Sequence, residues 1–243
     1  MVDQHGQKMI DKRIIRTERE KDLSYVDKWF LKPGEWSHDP DGNTKESEPE
    51  WIQRYEYERD ILLPIIDQYD VKQIIELGSG PGTLSQMILD LRVILDYHLI
   101  DKDGAQMGFE HRKYKGTFYV KDLNLEFDVS GLPIDFDMII ANDFFEHIQA
   151  PSEVILQSRE ILKKDGLYFV SVPNWRNGHD FIYRGLFDFD NFVFMMNTHG
   201  FDLIAVADSP LKTPITKRLD SERMLPDDLL NSWNWYFLFK KEE

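Results

Sequence analysis

Two stretches of the sequence hold side chains whose type and spacing could do chemistry. The first is Glu76-Leu77-Gly78-Ser79-Gly80-Pro81-Gly82, followed by Asp101 and then by Asp122. Glycine has no Cβ, so Gly78, Gly80 and Gly82 let the backbone turn tightly and approach a bound molecule. Asp101 follows the last glycine by about 20 residues, a separation at which a carboxylate accepts hydrogen bonds from both hydroxyls of a ribose. A ribose-containing ligand is expected. The second stretch is Asp143, Glu146 and His147, a D-x-x-E-H pattern, with His179 further on. If the segment is helical, positions i, i+3 and i+4 share one face. Two carboxylates and two imidazoles would then make a mixed oxygen and nitrogen site suited to Mg²⁺ or Mn²⁺. Plainer roles compete: Asp101 as a helix cap, Asp122 as a turn cap with Asn124, and His179 on a surface loop.

The hydrophobic pattern predicts the elements that must carry these residues. Val71–Leu77 reads as a strand ending in the glycine turn. Thr83–Leu91 reads as the helix after it, with Leu84, Met87, Ile88 and Leu91 at helical spacing. His98–Asp101, Thr117–Val120, Phe136–Ala141 and Leu167–Val172 read as further strands, and 201–206 and 233–239 as the last two. Ser152–Leu162 reads as a helix with Ser152 as N-cap, closed by Lys163, Lys164 and Gly166. The strands are continuous apolar runs, as in parallel sheets covered on both faces. The expected class is α/β, a Rossmann-like, doubly wound and mostly parallel sheet. Ligands bind such sheets beyond the carboxyl ends of the strands, where Glu76–Gly82, Asp101 and Asp122 fall. A helix is also expected over Trp51–Tyr69, bent or interrupted at Pro64. Residues 1–50 read as an N-terminal accessory segment and 51–243 as the main domain. Within the former, 11–30 could hold one or two short helices, and 32–50 reads as loop. Phe192, Phe194, Met195 and Met196 read as packing on a helix face.

Composition narrows the class. Against 29 Lys and Arg stand 44 Asp and Glu, a net charge of −15. That field repels phosphate backbones and counts against nucleic acid as a partner. The chain has no cysteine, which excludes disulfides, thiolate nucleophiles and cysteine zinc sites. A reducing cytoplasm is the expected location. Residues 1–15 lack the apolar stretch of a signal peptide, and no apolar run approaches the roughly 18 residues of a membrane span. Aromatic residues make up 13% of the chain and gather toward its two ends, where they could line a pocket.

Ile74-Ile75-Glu76-Leu77-Gly78-Ser79-Gly80-Pro81-Gly82 resembles motif I of the class I S-adenosylmethionine (SAM) dependent methyltransferases. The spacing differs from the nicotinamide fingerprint G-x-G-x-x-G, and no Gly-Lys-Ser/Thr follows as in a P-loop. Leu99-Ile100-Asp101 is similar to that family's ribose-binding acid after strand two. Val120-Lys121-Asp122-Leu123 resembles its adenine-contacting segment. Asn142–His147 resembles its strand-four motif, and Leu162–Asn174 the helix end and fifth strand of the ubiquinone-pathway O-methyltransferase branch. The likeness is clear over Val71–Asn174, extends to 201–239 as a hairpin of two strands, and does not reach residues 1–50.

The resemblance implies a seven-stranded sheet with an antiparallel C-terminal strand. It implies SAM held by Glu76, Gly78, Ser79, Gly80, Gly82, Asp101, Lys102, Asp122, Leu123 and Asn142. Methyl transfer from a sulfonium is an in-line displacement, so the protein mainly positions the acceptor and excludes water. The acceptor must also lose a proton, and His147, just past the fourth strand, is the candidate base or orienting group. Its plainer role is to cap the helix that follows. The D-x-x-E-H pattern with His179 also resembles the E-x-x-E-H plus distal His of metal-dependent members, with Asp143 where those carry Glu. A metal there would lower the pKa of a coordinated hydroxyl. In similar enzymes the N-terminal segment and the stretch after strand five form a lid. Here these carry Trp36, Trp51, Tyr55 and Tyr57, and Trp175, Arg176, Phe181, Tyr183 and Arg184. Aromatics with a few cations suit a small organic acceptor. The expected function is methyl transfer to an oxygen, with nitrogen second, of a small metabolite or sugar. The alternatives are an RNA or protein methyltransferase on the same fold and a non-catalytic SAM-binding module.

Overall fold

The computed structural model describes residues 12–16, 49–92, 95–102, 116–124, 128–173, 188–208 and 234–242. In chain order the elements are β1 (Lys12–Arg16), α1 (Pro49–Gln68), β2 (Gln73–Leu77), α2 (Thr83–Leu91), β3 (Asp96–Asp101) and β4 (Gly116–Val120). There follow β5 (Phe136–Asn142), a 3₁₀ turn (Phe145–His147), α3 (Pro151–Ile161), β6 (Leu162–Pro173), α4 (Phe189–Thr198), β7 (Phe201–Asp208) and β8 (Asn234–Lys241). Two units are present, Met1–Asp70 with Ser79–Asp122, and Val71–Gly78 with Leu123–Glu243.

In the first unit β4 runs parallel to both β1 and β3, with Phe118 in register with Ile14 on one side and Leu99 on the other. Tyr97, His98, Leu99 and Ile100 are buried in succession, so β3 is covered on both faces. In the second unit β2, β5 and β6 run parallel and β8 inserts antiparallel between β6 and β7, giving the order β2-β5-β6-β8-β7. Met138, Ile139, Ile140 and Ala141 are likewise buried in succession. Parallel strands buried on both faces, joined through helices, with an antiparallel C-terminal strand, are the Rossmann-like class expected.

Four details depart from the sequence pattern. Lys12–Arg16 is a strand rather than part of a helix. Ile14 and Ile15 within it are β-branched and suit extended backbone. Pro64 does not interrupt α1, which runs on to Gln68. Pro64 is exposed, so water can satisfy the carbonyl that a proline leaves unpaired. Ser152 is not the cap of α3. Ala150 occupies that position without a side-chain bond, and Pro151 opens the helix, where its missing N–H costs nothing. Gly166 does not close α3 either. Leu162 passes directly into extended backbone, and Asp165 takes the left-handed conformation (φ 61). Gly166 is small for another reason: a Cβ there would lie 2.6 Å from Leu162 Cγ.

The C-terminal aromatics form core rather than pocket wall. Alternation along β8 sends Trp235, Phe237 and Phe239 to the face of α4. Phe189 meets Trp235 and Phe237 at 5.8 and 5.2 Å between ring centroids, and Phe192 meets Phe237 at 5.4 Å. Tyr236, on the other face, stacks on Phe169 at 6.2 Å. Phe192, Met195 and Met196 are buried on α4, as the spacing suggests, whereas Phe194 is 71% exposed.

Asp137 on β5 ties this unit together. Its Oδ2 accepts the backbone N–H groups of Lys72 and Gln73 at 2.6 and 2.8 Å, and its Oδ1 accepts the Lys163 ammonium. Burial alone would raise its pKa, but the Lys163 bond and the two N–H bonds outweigh it and hold the carboxyl below its usual range. A lowered folded pKa gives stability that is present above the unfolded value and is lost as pH falls through the folded one. Asp137→Asn is therefore expected to cost ~1–3 kcal/mol at pH 7 in urea unfolding. The gap from wild type should narrow below pH ~4; a gap of equal size at pH 3 would contradict this account.

Candidate active site

The glycine loop leaves β2 after the buried residues Glu76 and Leu77. Gly78, Gly80 and Gly82 all have left-handed backbone, with φ of 66, 53 and 75. A side chain at any of them would strain the turn. The loop is closed by its own bonds: Gly82 N–H reaches Ser79 O at 3.0 Å, and Gln86 N–H reaches Gly82 O at 3.1 Å as α2 begins. Ser79 N–H reaches Ile100 O at 3.3 Å.

At the end of β3, Asp101 Oδ2 accepts the Gly80 N–H at 2.6 Å and Oδ1 accepts the Lys102 N–H at 2.7 Å. The Lys121 N–H bonds Asp101 O at 2.7 Å, which brings the end of β4 alongside. Burial raises the Asp101 pKa. The Gly80 and Lys102 N–H groups and the Lys102 charge oppose this, Asp122 adds to it, and the net direction is upward. Asp122 is half-buried and Leu123 buried. Glu76, Ser79, Lys102 and Asn142 occupy the strand ends and loop assigned to them; the acid Asp101 and the loop glycine Gly80 are in direct contact.

Beyond β5 the chain turns at Asp143, a non-glycine residue with φ 41. Its N–H donates to Ser171 Oγ at 2.9 Å. Its Oδ1 accepts the Ser171 hydroxyl at 2.8 Å and the Asn234 amide at 2.9 Å. Phe144 and Phe145 are buried, Phe145 against Phe192 at 5.8 Å and Tyr168 at 6.3 Å. The following turn is 3₁₀ and three residues long. Glu146 is fully buried in it and His147 is exposed. The shared helical face that a D-x-x-E-H metal site needs is therefore not formed. Among the described residues no three His, Cys, Asp or Glu lie close enough to hold a metal ion, and His179 lies outside them. Among the described residues, Asp143, Glu146 and His147 form no metal-binding group.

His147 is held in place by a residue the sequence did not single out for this task. Asn124 donates from Nδ2 to His147 O at 2.7 Å and accepts the Gln149 N–H on Oδ1 at 2.8 Å. Ser171 and Asn234 were missed as well. Ser171 alone had a signal, a hydroxyl inside the apolar run of β6. Of the proposed lid residues, Tyr55 and Tyr57 are half-buried on α1, with the Arg54 guanidinium 5.1 Å from the Tyr55 ring. The Trp51 side chain, Trp36 and the residues from Trp175 to Arg184 lie outside what the structure describes.

Comparison with known proteins agrees with this geometry. Residues 75–168 match the family described as "Methyltransferase domain". That segment is similar to a methyltransferase domain. The chain is 26% identical over 110 residues to a "Ubiquinone biosynthesis O-methyltransferase" of Glaesserella parasuis serovar 5 (strain SH0165), covering 42% of this chain. The match takes in 46% of that relative, so the chain spans about half the length of the curated protein it resembles. The methyltransferase fold is shared with a SAM-dependent methyltransferase from Clostridium acetobutylicum ATCC 824, with TM-score 0.58, 11% identity and coverage of 78% of this chain and 92% of that one. It is shared also with the plantazolicin methyltransferase BpumL in complex with SAH, with TM-score 0.52, 15% identity and coverage of 81% and 92%.

The Asp101 bond and the left-handed Gly80 make affinity for S-adenosylhomocysteine (SAH) a direct test of the site. Asp101→Ala is expected to weaken it ~10–100-fold in calorimetry, the loss of hydrogen bonds to a charged group. Gly80→Val should abolish it, through strain and loss of the tether. Because the Asp101 pKa lies above its usual value of ~4, wild-type affinity should begin to fall at a higher pH than an ordinary aspartate would give. Unchanged affinity in either variant would contradict the assignment.

Proposed function

We propose that this domain binds SAM at the Gly78–Gly82 loop and transfers its methyl group to an oxygen, with nitrogen second, of a small metabolite or sugar. The observation that carries the reading is the Gly80 N–H bond to Asp101. It keeps the carboxylate beside the loop, where it can accept from ribose hydroxyls. Leu123, buried at the end of β4, offers apolar surface suited to an adenine face, and Asp122 beside it offers an acceptor. When bound, SAM supplies an electrophilic methyl carbon on a sulfonium that leaves as a neutral thioether.

The chain's own part is to orient and to move a proton. His147 is exposed and its backbone carbonyl is held by Asn124, and its imidazole is the group proposed to take the acceptor's proton. An oxygen acceptor is supported by the name of the curated relative. A small acceptor rather than nucleic acid is supported by the net charge of −15. The absence of cysteine supports a reducing compartment. Among the described residues no helix is long and apolar enough to cross a membrane.

The test is calorimetry with SAM and SAH, followed by an acceptor screen with and without Mg²⁺. Binding of both nucleosides and turnover of a hydroxylated acceptor are expected, with turnover insensitive to EDTA. His147→Ala should leave SAH affinity unchanged and lower turnover ~10²–10⁴-fold, the usual contribution of a general base. Failure to bind SAH would sink the reading. Binding without turnover across the screen would favour a non-catalytic module.

A further inference from the structure

Asp143 does more in this structure than a fragment of a D-x-x-E-H pattern would. It is a left-handed residue, φ 41, between Asn142, where β5 ends, and the buried Phe144. Aspartate tolerates that conformation when its short side chain finds local partners. Here the partners are distant in sequence. Ser171 on β6 both accepts the Asp143 N–H and donates to Oδ1, and Asn234 at the start of β8 donates to the same oxygen. The turn is thus clamped to two buried strands.

The next residue makes the second observation. Phe144 fills the space where a Cβ on Gly78 would stand: its Cδ2 lies 2.5 Å from that position, its Cγ 3.3 Å and its own Cβ 3.4 Å. Gly78 is the first glycine of the cofactor loop, and its left-handed φ of 66 sets the direction in which Ser79 and Gly80 leave. The clamp and the contact with the loop therefore sit on adjacent residues.

We propose that Asp143 is a positioning residue for the cofactor loop: clamped by Ser171 and Asn234, it holds the turn that presses Phe144 onto Gly78 and fixes the loop backbone. Without the clamp Asp143 relaxes toward the right-handed or extended basin, the Phe144 ring is re-aimed, and Gly78 loses the wall that confines it. The consequence for affinity rests on the SAM reading above; the consequence for loop motion does not.

The experiment uses the full chain and two readouts, SAH affinity by calorimetry and amide hydrogen exchange without ligand. In Asp143→Ala, exchange of the Gly78–Gly82 amides should rise about 10-fold or more while β5 and β6 stay protected. SAH should bind about 10-fold more weakly. Phe144→Ala should reproduce both changes. Asp143→Asn keeps an acceptor oxygen for Ser171 and Asn234 and should stay within about 3-fold of wild type. Asp143→Gly keeps the backbone conformation but not the clamp and should behave as Asp143→Ala. If Asp143→Ala does not fold, Asn234→Ala removes one donor and should raise loop exchange by about 3-fold. Wild-type loop exchange in Asp143→Gly and Phe144→Ala, or exchange rising equally through β2, β5 and β6, would overturn the proposal. A wild-type chain that binds no SAH would end the SAM reading, and loop exchange would still decide the clamp.

Discussion

Burial by itself would drive the Asp101 carboxyl toward its neutral form, and a neutral acid is the poorer acceptor for a pair of hydroxyl donors. The Gly80 and Lys102 N–H groups and the Lys102 charge act the other way, and the balance leaves the pKa raised. Each carboxylate oxygen has two lone-pair sites, and one N–H on each leaves a second for a ribose hydroxyl. The balance depends on the backbone at Gly80. Gly80 has a left-handed φ of 53, a conformation that glycine takes without a Cβ penalty. The glycine in the motif and the aspartate about 20 residues later are therefore joined directly, by the Gly80 N–H bond to Asp101.

Much of this was legible because it is local. Continuous apolar runs gave the strands, and helical spacing gave α2 at its observed bounds, Thr83–Leu91. The spacing of glycines and acids at strand ends pointed to the loop and to Asp101. What failed was local reasoning overridden by neighbours. Ser152 is a good cap by type, but Pro151 already fits the first helical position and moves the cap of α3 two residues earlier, to Ala150. Gly166 looks like a helix stop, yet its smallness serves the Leu162 side chain, and Asp165 takes the left-handed bend. The helical face expected of Asp143, Glu146 and His147 needs an α-helix, and the chain gives one 3₁₀ turn there. The bonds of Asn124, Ser171 and Asn234 were missed for a different reason. Their partners lie 23, 28 and 91 residues away, and nothing in a one-dimensional pattern records such a contact.

The aromatic C-terminus shows how packing supplies rigidity where the site needs it. Trp235, Phe237 and Phe239 were candidates for a ligand pocket by composition alone. Buried against Phe189 and Phe192, they instead lock β8 beneath α4. Such ring pairs contribute roughly 0.5–1.5 kcal/mol each beyond area burial. Asn234 opens that strand, opposite Pro173 in register, so its amide is presented from a fixed base. A donor held by packing loses little freedom when it bonds, which is why one oxygen of Asp143 can collect both the Ser171 hydroxyl and the Asn234 amide.

The same economy explains why position 143 carries aspartate. A glutamate would place its carboxylate one methylene further out, away from donors that sit 2.8 and 2.9 Å from the present oxygen. It would also lose the short reach that lets aspartate settle in the left-handed region. The departure from the E-x-x-E-H pattern is then more than a weakened metal ligand. One methylene fewer turns the carboxylate back onto its own fold, where it bonds Ser171 and Asn234. Methyl transfer from a sulfonium can proceed on those terms, because the leaving group is already activated and the protein's largest contribution is geometry.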